Sequence, residues 1–397
     1  MTYGLPSIYL DHAATTPTDP AVVEAMAPYF TTVFGNPSSI YQVGQDGRAA
    51  LDRSRRTIGA ILGARDSEIL FTSGATESNY LALKGVAWAA RLAKSEEPAP
   101  HVIVSAIEHH AVLHAAEALA EQEFEVTVLP CDVDGLVSTD DLHQAIRPET
   151  CLVSIIYANN EVGAIQPIAQ MAAIARERGV LFHTDAVQAA GLLTIDVQAL
   201  GVDLLSLSAH KFYGPKGVGL LYVRKGTAIR YQQDGGGQES GRLGGTENVP
   251  LIVGMAEALT RAESLREAYA DHTSDLRNLL WEEIQAIVPD VRLNGPDPGE
   301  SRLSNNLNVS FRGVQGETAL LGLDMQGVSA SAGSACTTGN SEPSHVLLAM
   351  GLTEDEARAS LRLSVGRGNM REEIEDAAVT IQDVIARTRS LASTEPR

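Results

Sequence analysis

The amino-acid sequence predicts an α/β protein: a mostly parallel sheet with helices on both faces, followed by a smaller α+β domain. Between about residues 100 and 225, short runs rich in β-branched residues alternate with helical patterns. This βαβ rhythm is typical of a doubly wound sheet. The chain has 397 residues, 44% hydrophobic and 20% charged, so it is long enough for two cores and has the composition of a globular protein.

The predicted elements follow from these patterns in chain order. Helices are predicted before the sheet at residues 20–29, 44–62 and 77–90. The strand candidates are residues 101–105, 125–129, 152–157, 180–184, 204–207 and 218–223, with helices at 111–122 and 168–178 between several of them. After Gly245 we expect one long helix, roughly residues 249–288, then strands at 307–311 and 362–365 and an amphipathic helix near 371–390.

Charge and hydropathy exclude several classes of partner. Fifty acidic and thirty basic residues give a formal charge of −20, which repels nucleic acid and anionic lipid. No run approaches the ~18 consecutive apolar residues of a membrane helix. The N-terminal residues lack the pattern of a signal peptide, so we expect a cytoplasmic protein. Three cysteines are too few for a disulfide framework or a zinc site.

Polar residues gather directly after the predicted strands. Asp185 follows one strand, Lys211 lies just beyond the next, and His109 and Asn160 follow two others. Ligands bind at the carboxyl ends of parallel strands, so this combination predicts a site. Alone, Asp185 would be read as a helix cap and Lys211 as a surface cation. The pattern itself leaves nucleotide, sugar phosphate and pyridoxal phosphate open as ligands.

Two further segments have the composition of binding or reactive loops. Residues 72–77 (TSGATE) place small and hydroxyl residues before a predicted helix, which is typical of a phosphate site and also of an ordinary capping turn. No Walker lysine and no G-x-G-x-x-G motif follows a strand, so a nucleotide-binding Rossmann protein has the least support. Cys336 lies among Gly, Ser, Ala and Thr residues, where a thiol could reach a substrate or be an incidental loop residue.

Several motifs occur together in one order along nearly the whole chain. They are YLDHAATTP at 9–17, FGNPSS at 34–39, TSGATESN at 72–79, NNEVG at 159–163, SAHK at 208–211, SAGSACTTG at 331–339 with SEPSHVL at 341–347, and RLSVGR at 362–367. This set resembles the cysteine desulfurases, pyridoxal phosphate enzymes of the class V aminotransferase group, and in particular their iron–sulfur-assembly type. His12 and Tyr80 depart from the family, which often has Asn at both positions.

The resemblance implies a fold-type-I architecture with a seven-stranded sheet. It implies a large cofactor-binding domain at residues 16–255 and a small domain, residues 1–15 and 256–397, that carries the Cys336 loop. A homodimer is also implied, because in this family the cofactor phosphate receives a threonine of the neighbouring subunit, here Thr246.

The resemblance also assigns roles to the site residues. Lys211 would hold pyridoxal phosphate as a Schiff base, Asp185 would keep its ring nitrogen protonated, and His109 would stack on the ring and move a proton. Arg362 would take the substrate carboxylate. The remaining assignments are the ring hydroxyl region for Asn160 and Gln188, substrate contact for Asn160, and the phosphate for Ala75, Thr76, Ser208 and His210.

The implied reaction converts L-cysteine to L-alanine and leaves the sulfur as a persulfide on Cys336. An acceptor or iron–sulfur scaffold protein would then collect it, and Cys336 could transiently ligate an iron–sulfur cluster; no other metal is expected. A selenocysteine lyase or aminotransferase on the same scaffold would need Lys211 and Asp185 but not Cys336. An inactive family member kept as a scaffold is a third interpretation, against which the intact Lys211, Asp185, His109 and Cys336 argue.

Overall fold

The computed structural model describes residues 8–93, 98–332 and 342–392. The strands are β1 (Ile8–Tyr9), β2 (Ile69–Thr72), β3 (His101–Ser105), β4 (Glu125–Leu129), β5 (Thr150–Ser154), β6 (Leu181–Asp185), β7 (Leu204–Ser208), β8 (Gly219–Val223), β9 (Val291–Leu293), β10 (Asn306–Phe311), β11 (Val328–Ser329) and β12 (Ser360–Ser364). The helices are α1 (Pro20–Met26), α2 (Pro28–Thr31), α3 (Gln42–Leu62), α4 (Ala75–Ala93), α5 (His110–Ala120), α6 (Thr139–Ala145), α7 (Ile168–Glu177), α8 (Val197–Leu200), α9 (Val249–Ser264), α10 (Arg266–Ile287), α11 (Gly316–Met325), α12 (His345–Ala349), α13 (Glu354–Arg358) and α14 (Arg371–Ala392).

Seven strands form the central sheet in the order β2-β8-β7-β6-β5-β3-β4. Only β8 among them runs against its neighbours; β7, β6, β5, β3 and β4 pair in parallel. Successive side chains enter different cores: Ile103 lies in one, while Val102 and Val104 lie in the other. Burial on both faces explains why the strands are nearly continuous apolar runs. The predicted α/β fold with a seven-stranded, mostly parallel sheet is confirmed.

A second, smaller sheet follows in the chain. Strands β12, β10 and β9 pair antiparallel in that order. Helices α10, α11 and α14 pack with them around a separate hydrophobic cluster, in which Leu10 from the N-terminal segment is fully buried. The short strand β1 reaches this part of the molecule by pairing in parallel with β11. The division of the chain at residues 255 and 256 stays a prediction.

The structure differs from the predicted elements in two places that matter for packing. Strand β2 was not predicted, because a four-residue run is too short to show a periodicity, although all four residues are buried. The helix predicted at 249–288 is broken at Leu265, whose backbone (φ −106, ψ 1) leaves the helical region. The break has a packing reason: α9 contacts α1 and α3, whereas α10 contacts α14. Within the described ranges, the helices are all too short or too polar to cross a bilayer.

Candidate active site

A cavity of about 490 Å³ opens where the carboxyl ends of the parallel strands meet. Ten of the predicted site residues line it: Ala75, Thr76, His109, Asn160, Asp185, Gln188, Ser208, His210, Lys211 and Arg362. They come from the ends of four strands of the large sheet, the start of α4 and the middle of β12. The strand-end rule therefore accounts for the residues that come from the large sheet, and the volume suits a small molecule.

Lys211 projects from the 3₁₀ turn that follows β7. Its Nζ donates hydrogen bonds to the backbone carbonyls of Ala13 at 2.6 Å and Ala14 at 2.7 Å. The amide of Gln188 donates to the same Ala13 carbonyl at 2.9 Å. Thr16, two residues further along, is fixed by two bonds to the carbonyl of His210. The N-terminal segment thus holds the lysine amine, a role that no local pattern predicted.

Asp185, the last residue of β6, is 4% exposed. Asn79 Nδ2 donates to one carboxylate oxygen at 2.6 Å and the Val187 N–H to the other at 3.0 Å. Burial raises the pKa of Asp185, while these donors and the charge of Lys211 oppose the rise. Asn79 is the last residue of the TSGATESN motif, and the family resemblance implied no role for it. Its contact with Asp185 depends on the packing of α4 against the sheet.

His109 caps the N-terminus of α5. Its Nδ1 accepts a hydrogen bond from the Ala111 N–H at 3.1 Å, so that nitrogen carries no proton. Burial first, and then the charge of Lys211, lower the pKa of His109 to about 4. At neutral pH the ring is therefore an uncharged imidazole.

Glu108 is fully buried directly beside this histidine. It binds the Ser105 hydroxyl at 2.5 Å and the Ile156 N–H at 2.7 Å through one oxygen, while the other oxygen has no partner in the described residues. Burial raises the pKa of Glu108 to about 8, and the nearby charge of Asp185 acts in the same direction. The group is therefore a neutral acid at pH 7. Sequence reasoning gave it no role, because burial cannot be read from its position after a strand.

Several of the groups that line the cavity could bind an anion. The first turn of α4, at Ala75 and Thr76, leaves backbone N–H groups without helical partners. Ser208, His210 and Lys216 line the same cavity. Lys216 was not predicted to be a site residue. Burial, then Lys211, lowers the pKa of His210 to about 4, and its Nδ1 lies 3.0 Å from the Thr15 hydroxyl.

Arg362 enters the cavity from the small sheet and is 2% exposed. It forms an ion pair with Asp11 at 2.8 Å and donates to the carbonyl of Asn160 at 3.2 Å. Its Nε has no partner among the residues described. Glu161 also lines the cavity and accepts a hydrogen bond from Ser344, and burial raises its pKa to about 7. The guanidinium is thus oriented by Asp11 and Asn160 with a donor remaining.

Two predicted site residues lie elsewhere. Thr246 is exposed and does not line the cavity of its own chain. Cys336 lies outside the described residues. A larger cavity of about 1030 Å³ lies against the small sheet, lined by Arg292, Arg312 and Glu356 among others, and by none of the predicted site residues. The smaller cavity is the better candidate, because its ionisable groups are buried and have shifted pKa values.

Comparisons with known proteins agree over most of the chain. The family model Aminotransferase class-V matches residues 8–376. A cysteine desulfurase IscS of Clostridium botulinum strain Hall is 45% identical over 97% of this chain and 96% of the relative. The IscS of Methanosarcina thermophila is 47% identical over 98% and 95%. Among solved structures, a NifS-like protein has a TM-score of 0.88 at 36% identity, covering 96% and 99% of the two chains. A structure described as SspA in complex with cysteine has a TM-score of 0.79 at 38% identity, covering 91% and 99%.

Proposed function

The chain belongs to the cysteine desulfurases of the class V aminotransferase family, and from that premise we propose how its own residues bind pyridoxal phosphate and L-cysteine. The observation that carries the proposal is the convergence of Lys211, Asp185 and Arg362 on one cavity. They offer an amine, a buried carboxylate and a guanidinium. A bound amino acid on this cofactor needs all three.

The residues present fit pyridoxal phosphate. Asp185 is a buried carboxylate held by two donors, which suits the protonated nitrogen of a pyridine ring. The free N–H groups of the first turn of α4 suit a phosphate. Lys211 would hold the cofactor covalently, with Asn160 and Gln188 near the ring hydroxyl and Ser208 and His210 near the phosphate. When bound, the cofactor supplies an electron-withdrawing ring that stabilises negative charge at the α-carbon of the amino acid.

The chain's own groups then position and deprotonate cysteine. Arg362 binds the substrate carboxylate, because Asp11 and Asn160 already fix its guanidinium and its Nε has no partner among the described residues. The carbonyls of Ala13 and Ala14 position the Lys211 amine. This amine removes the α-proton of the substrate.

His109 and Cys336 complete the reaction. The neutral imidazole of His109 would stack on the ring and take part in moving a proton of the bound amino acid. The Cys336 thiolate attacks the substrate sulfur, so that an S–S bond forms as the bond from that sulfur to the β-carbon breaks. The carbon skeleton keeps the bonding electrons, takes up one proton at the β-carbon, regains one at the α-carbon and leaves as alanine. The persulfide on Cys336 passes its sulfur to an acceptor or iron–sulfur scaffold protein.

The same proposal makes the enzyme a cytoplasmic homodimer in which Thr246 of each subunit binds the cofactor phosphate of the other. Thr246 is exposed and does not line the cavity of its own chain, which supports this arrangement.

The decisive experiment follows the absorbance of the purified, cofactor-loaded protein before and after L-cysteine, with alanine measured alongside. We expect a band of the lysine-bound cofactor that changes with cysteine, together with one alanine per sulfur released. Lys211→Ala should abolish both. A protein with the band but without alanine would contradict the desulfurase assignment.

A Cys336→Ala variant tests the persulfide step separately. It should keep the cofactor band but lose sulfide release from cysteine in the presence of reductant. A normal rate in this variant would instead favour a selenocysteine lyase type of reaction, which does not need the enzyme thiol.

A further inference from the structure

A buried ion pair fastens the Gly-rich segment, residues 235–246, to the central sheet. Glu239 in this segment pairs bidentately with Arg55 of α3, at 2.6 and 2.9 Å. Their side chains are only 4% and 13% exposed. The guanidinium also lies 4.7 Å from the ring centre of Phe71. A buried bidentate pair of this kind orients both of its partners.

The pair covers the edge of β2 that has no neighbouring strand in the described sheet. Arg55 donates to the carbonyl of Ile69, and Glu239 accepts from the N–H of Phe71 at 3.3 Å. These two backbone groups point to the same edge of the strand, away from β8. The ion pair therefore forms hydrogen bonds with backbone groups of β2 that a further strand would otherwise pair with. It also links the Gly-rich segment to the strand that leads into the phosphate-binding turn at Ala75 and Thr76.

The backbone of the segment is strained where it is fastened. Glu239 (φ 47) and Ser240 (φ 60) are consecutive left-handed residues with side chains. This conformation is strained for residues with a Cβ and persists where the surroundings hold it. At the base of the segment, Gly235 and Gly244 approach so closely that a Cβ on Gly244 would lie 2.7 Å from the Gly235 Cα. The loop is closed at its base by the Gly235–Gly244 approach and held at its tip by the ion pair, so it has little freedom to move.

Thr246 is the residue that the Gly-rich segment positions. It lies two residues after Gly244 and is exposed. The next residue, Glu247, has a buried Oε2 without a partner among the described residues, so the end of the segment is incompletely satisfied in a single chain. Both features fit a segment that finds its contacts on a second subunit.

We propose that Glu239, held by Arg55, is a positioning residue for the cofactor phosphate of the partner subunit. This rests on the proposed function, in which Thr246 reaches the partner's site. The ion pair sets the place of Thr246 relative to β2, and it thereby couples the phosphate turn of one site to the threonine donor of the other.

The test measures the dissociation constant of pyridoxal phosphate by absorbance titration of the dimer. Glu239→Gln keeps the shape but removes the charge, and should weaken cofactor binding about tenfold, the scale of one charged hydrogen bond. Thr246→Val should weaken it comparably, and the double variant no more than Thr246→Val alone. Asp52→Asn, in an exposed ion pair with Arg48 on the same helix, is the matched control and should bind as the parent does.

A second variant keeps the test valid if Glu239→Gln does not fold. Gly244→Ala opens the base of the segment without touching the ion pair, and should weaken binding in the same way. Mixed dimers show which subunit's cofactor site depends on Glu239. With Glu239→Gln and Lys211→Ala on the same subunit, the remaining cofactor site lies on the unaltered subunit, and its affinity for pyridoxal phosphate should fall.

The outcomes separate the two hypotheses. If Thr246→Val binds normally, the phosphate role of Thr246 fails and the positioning role fails with it. If Thr246→Val weakens binding but Glu239→Gln and Gly244→Ala do not, only the positioning role is overturned. Additive losses in the double variant would also overturn it, because Glu239 would then act by another route.

Discussion

Asp185 shows how a single side chain is prepared for its role. Burial alone would favour the neutral acid, because a low-dielectric site disfavours charge. The amide of Asn79 and the N–H of Val187 donate to its two oxygens and favour the carboxylate. Asn79 is itself fully buried, and its Oδ1 has no partner within the described structure. The protonation state of Asp185 therefore depends on a residue 106 positions earlier in the chain.

Asn79→Ala should slow alanine formation by at least about tenfold, because losing a hydrogen bond to a charged group costs about 1.5–3 kcal/mol. The physical cause is a further rise in the pKa of Asp185 once its donor is gone. The turnover number and the bound cofactor would be measured together. Tyr80→Phe, at the next and exposed position of α4, is the control. Unchanged turnover in Asn79→Ala would show that the amide does not support Asp185.

Glu108 makes a prediction about stability and pH. Its pKa in the folded protein is about 8, against about 4.3 for an unperturbed Glu. Between these values the unfolded chain carries a carboxylate and the folded chain a neutral acid, so stability present at low pH is lost as pH rises through 8. Buried histidines such as His109 and His183, with pKa values of about 4 and 3, act oppositely, but only below their unfolded pKa of about 6.5.

From pH 6.5 to 8, the free energy of unfolding should therefore fall more steeply in the parent protein than in Glu108→Gln. Glu161, with a pKa of about 7, adds a smaller slope that both proteins share. Urea denaturation at several pH values measures the difference. Parallel curves for the two proteins would mean that Glu108 is ionised in the folded state.

At the scale of elements, β8 and the turn before α4 depend on one close approach. A Cβ on Gly219, the first residue of β8, would lie 2.7 Å from the Cα of Gly74 and from the Leu207 carbonyl oxygen. All are backbone atoms and cannot rotate away. The absence of a side chain at Gly219 thus lets the turn before α4 lie directly against the sheet.

Gly219→Ala should lower both stability and cofactor affinity. Overpacking of this kind costs about 1–3 kcal/mol, and here the displaced turn carries Ala75 and Thr76. Thermal unfolding and a pyridoxal phosphate titration measure the two effects. Gly299→Ala is the control, since its nearest neighbour is 3.9 Å away. Weaker stability with unaltered cofactor binding would argue against a phosphate at this turn.

At the scale of the whole molecule, the N-terminal segment joins the two cores through the active site. Leu10 is buried in the core of the small sheet. Asp11 pairs with Arg362, and the carbonyls of Ala13 and Ala14 bind Lys211 of the large sheet. A disturbance at the start of the chain therefore reaches both the guanidinium of Arg362 and the amine of Lys211, for which we propose roles in binding substrate and cofactor.

Leu10→Ala should cost about 2–5 kcal/mol of stability, the usual price of truncating a buried leucine. It should also weaken cofactor binding, because the cavity it leaves loosens the segment that holds Lys211. Leu307→Ala removes the same groups from the same core at a position outside that segment, and should cost similar stability with cofactor binding retained. Equal cofactor loss in both variants would contradict the link.

The amino-acid sequence by itself determined the α/β class, most strands of the central sheet and most residues of the site. These follow from local causes: β-branched runs predict buried strands, and parallel strands bring their carboxyl ends to one edge. Lys211, Asp185 and His109 could be proposed because each lies just beyond a strand. The four-residue strand β2 and the break at Leu265 carry no such local signal.

Only the tertiary structure decided what surrounds those residues. The carbonyls that hold Lys211 lie 198 and 197 positions away in the chain, and Arg55 lies 184 positions from Glu239. Contacts across such separations have no periodicity to detect, since they depend on how whole elements pack. Burial, which sets the pKa values of Glu108 and Asp185, is likewise a property of the assembled fold. The sequence therefore specified which groups are present at the site, and packing specified their charge, orientation and support.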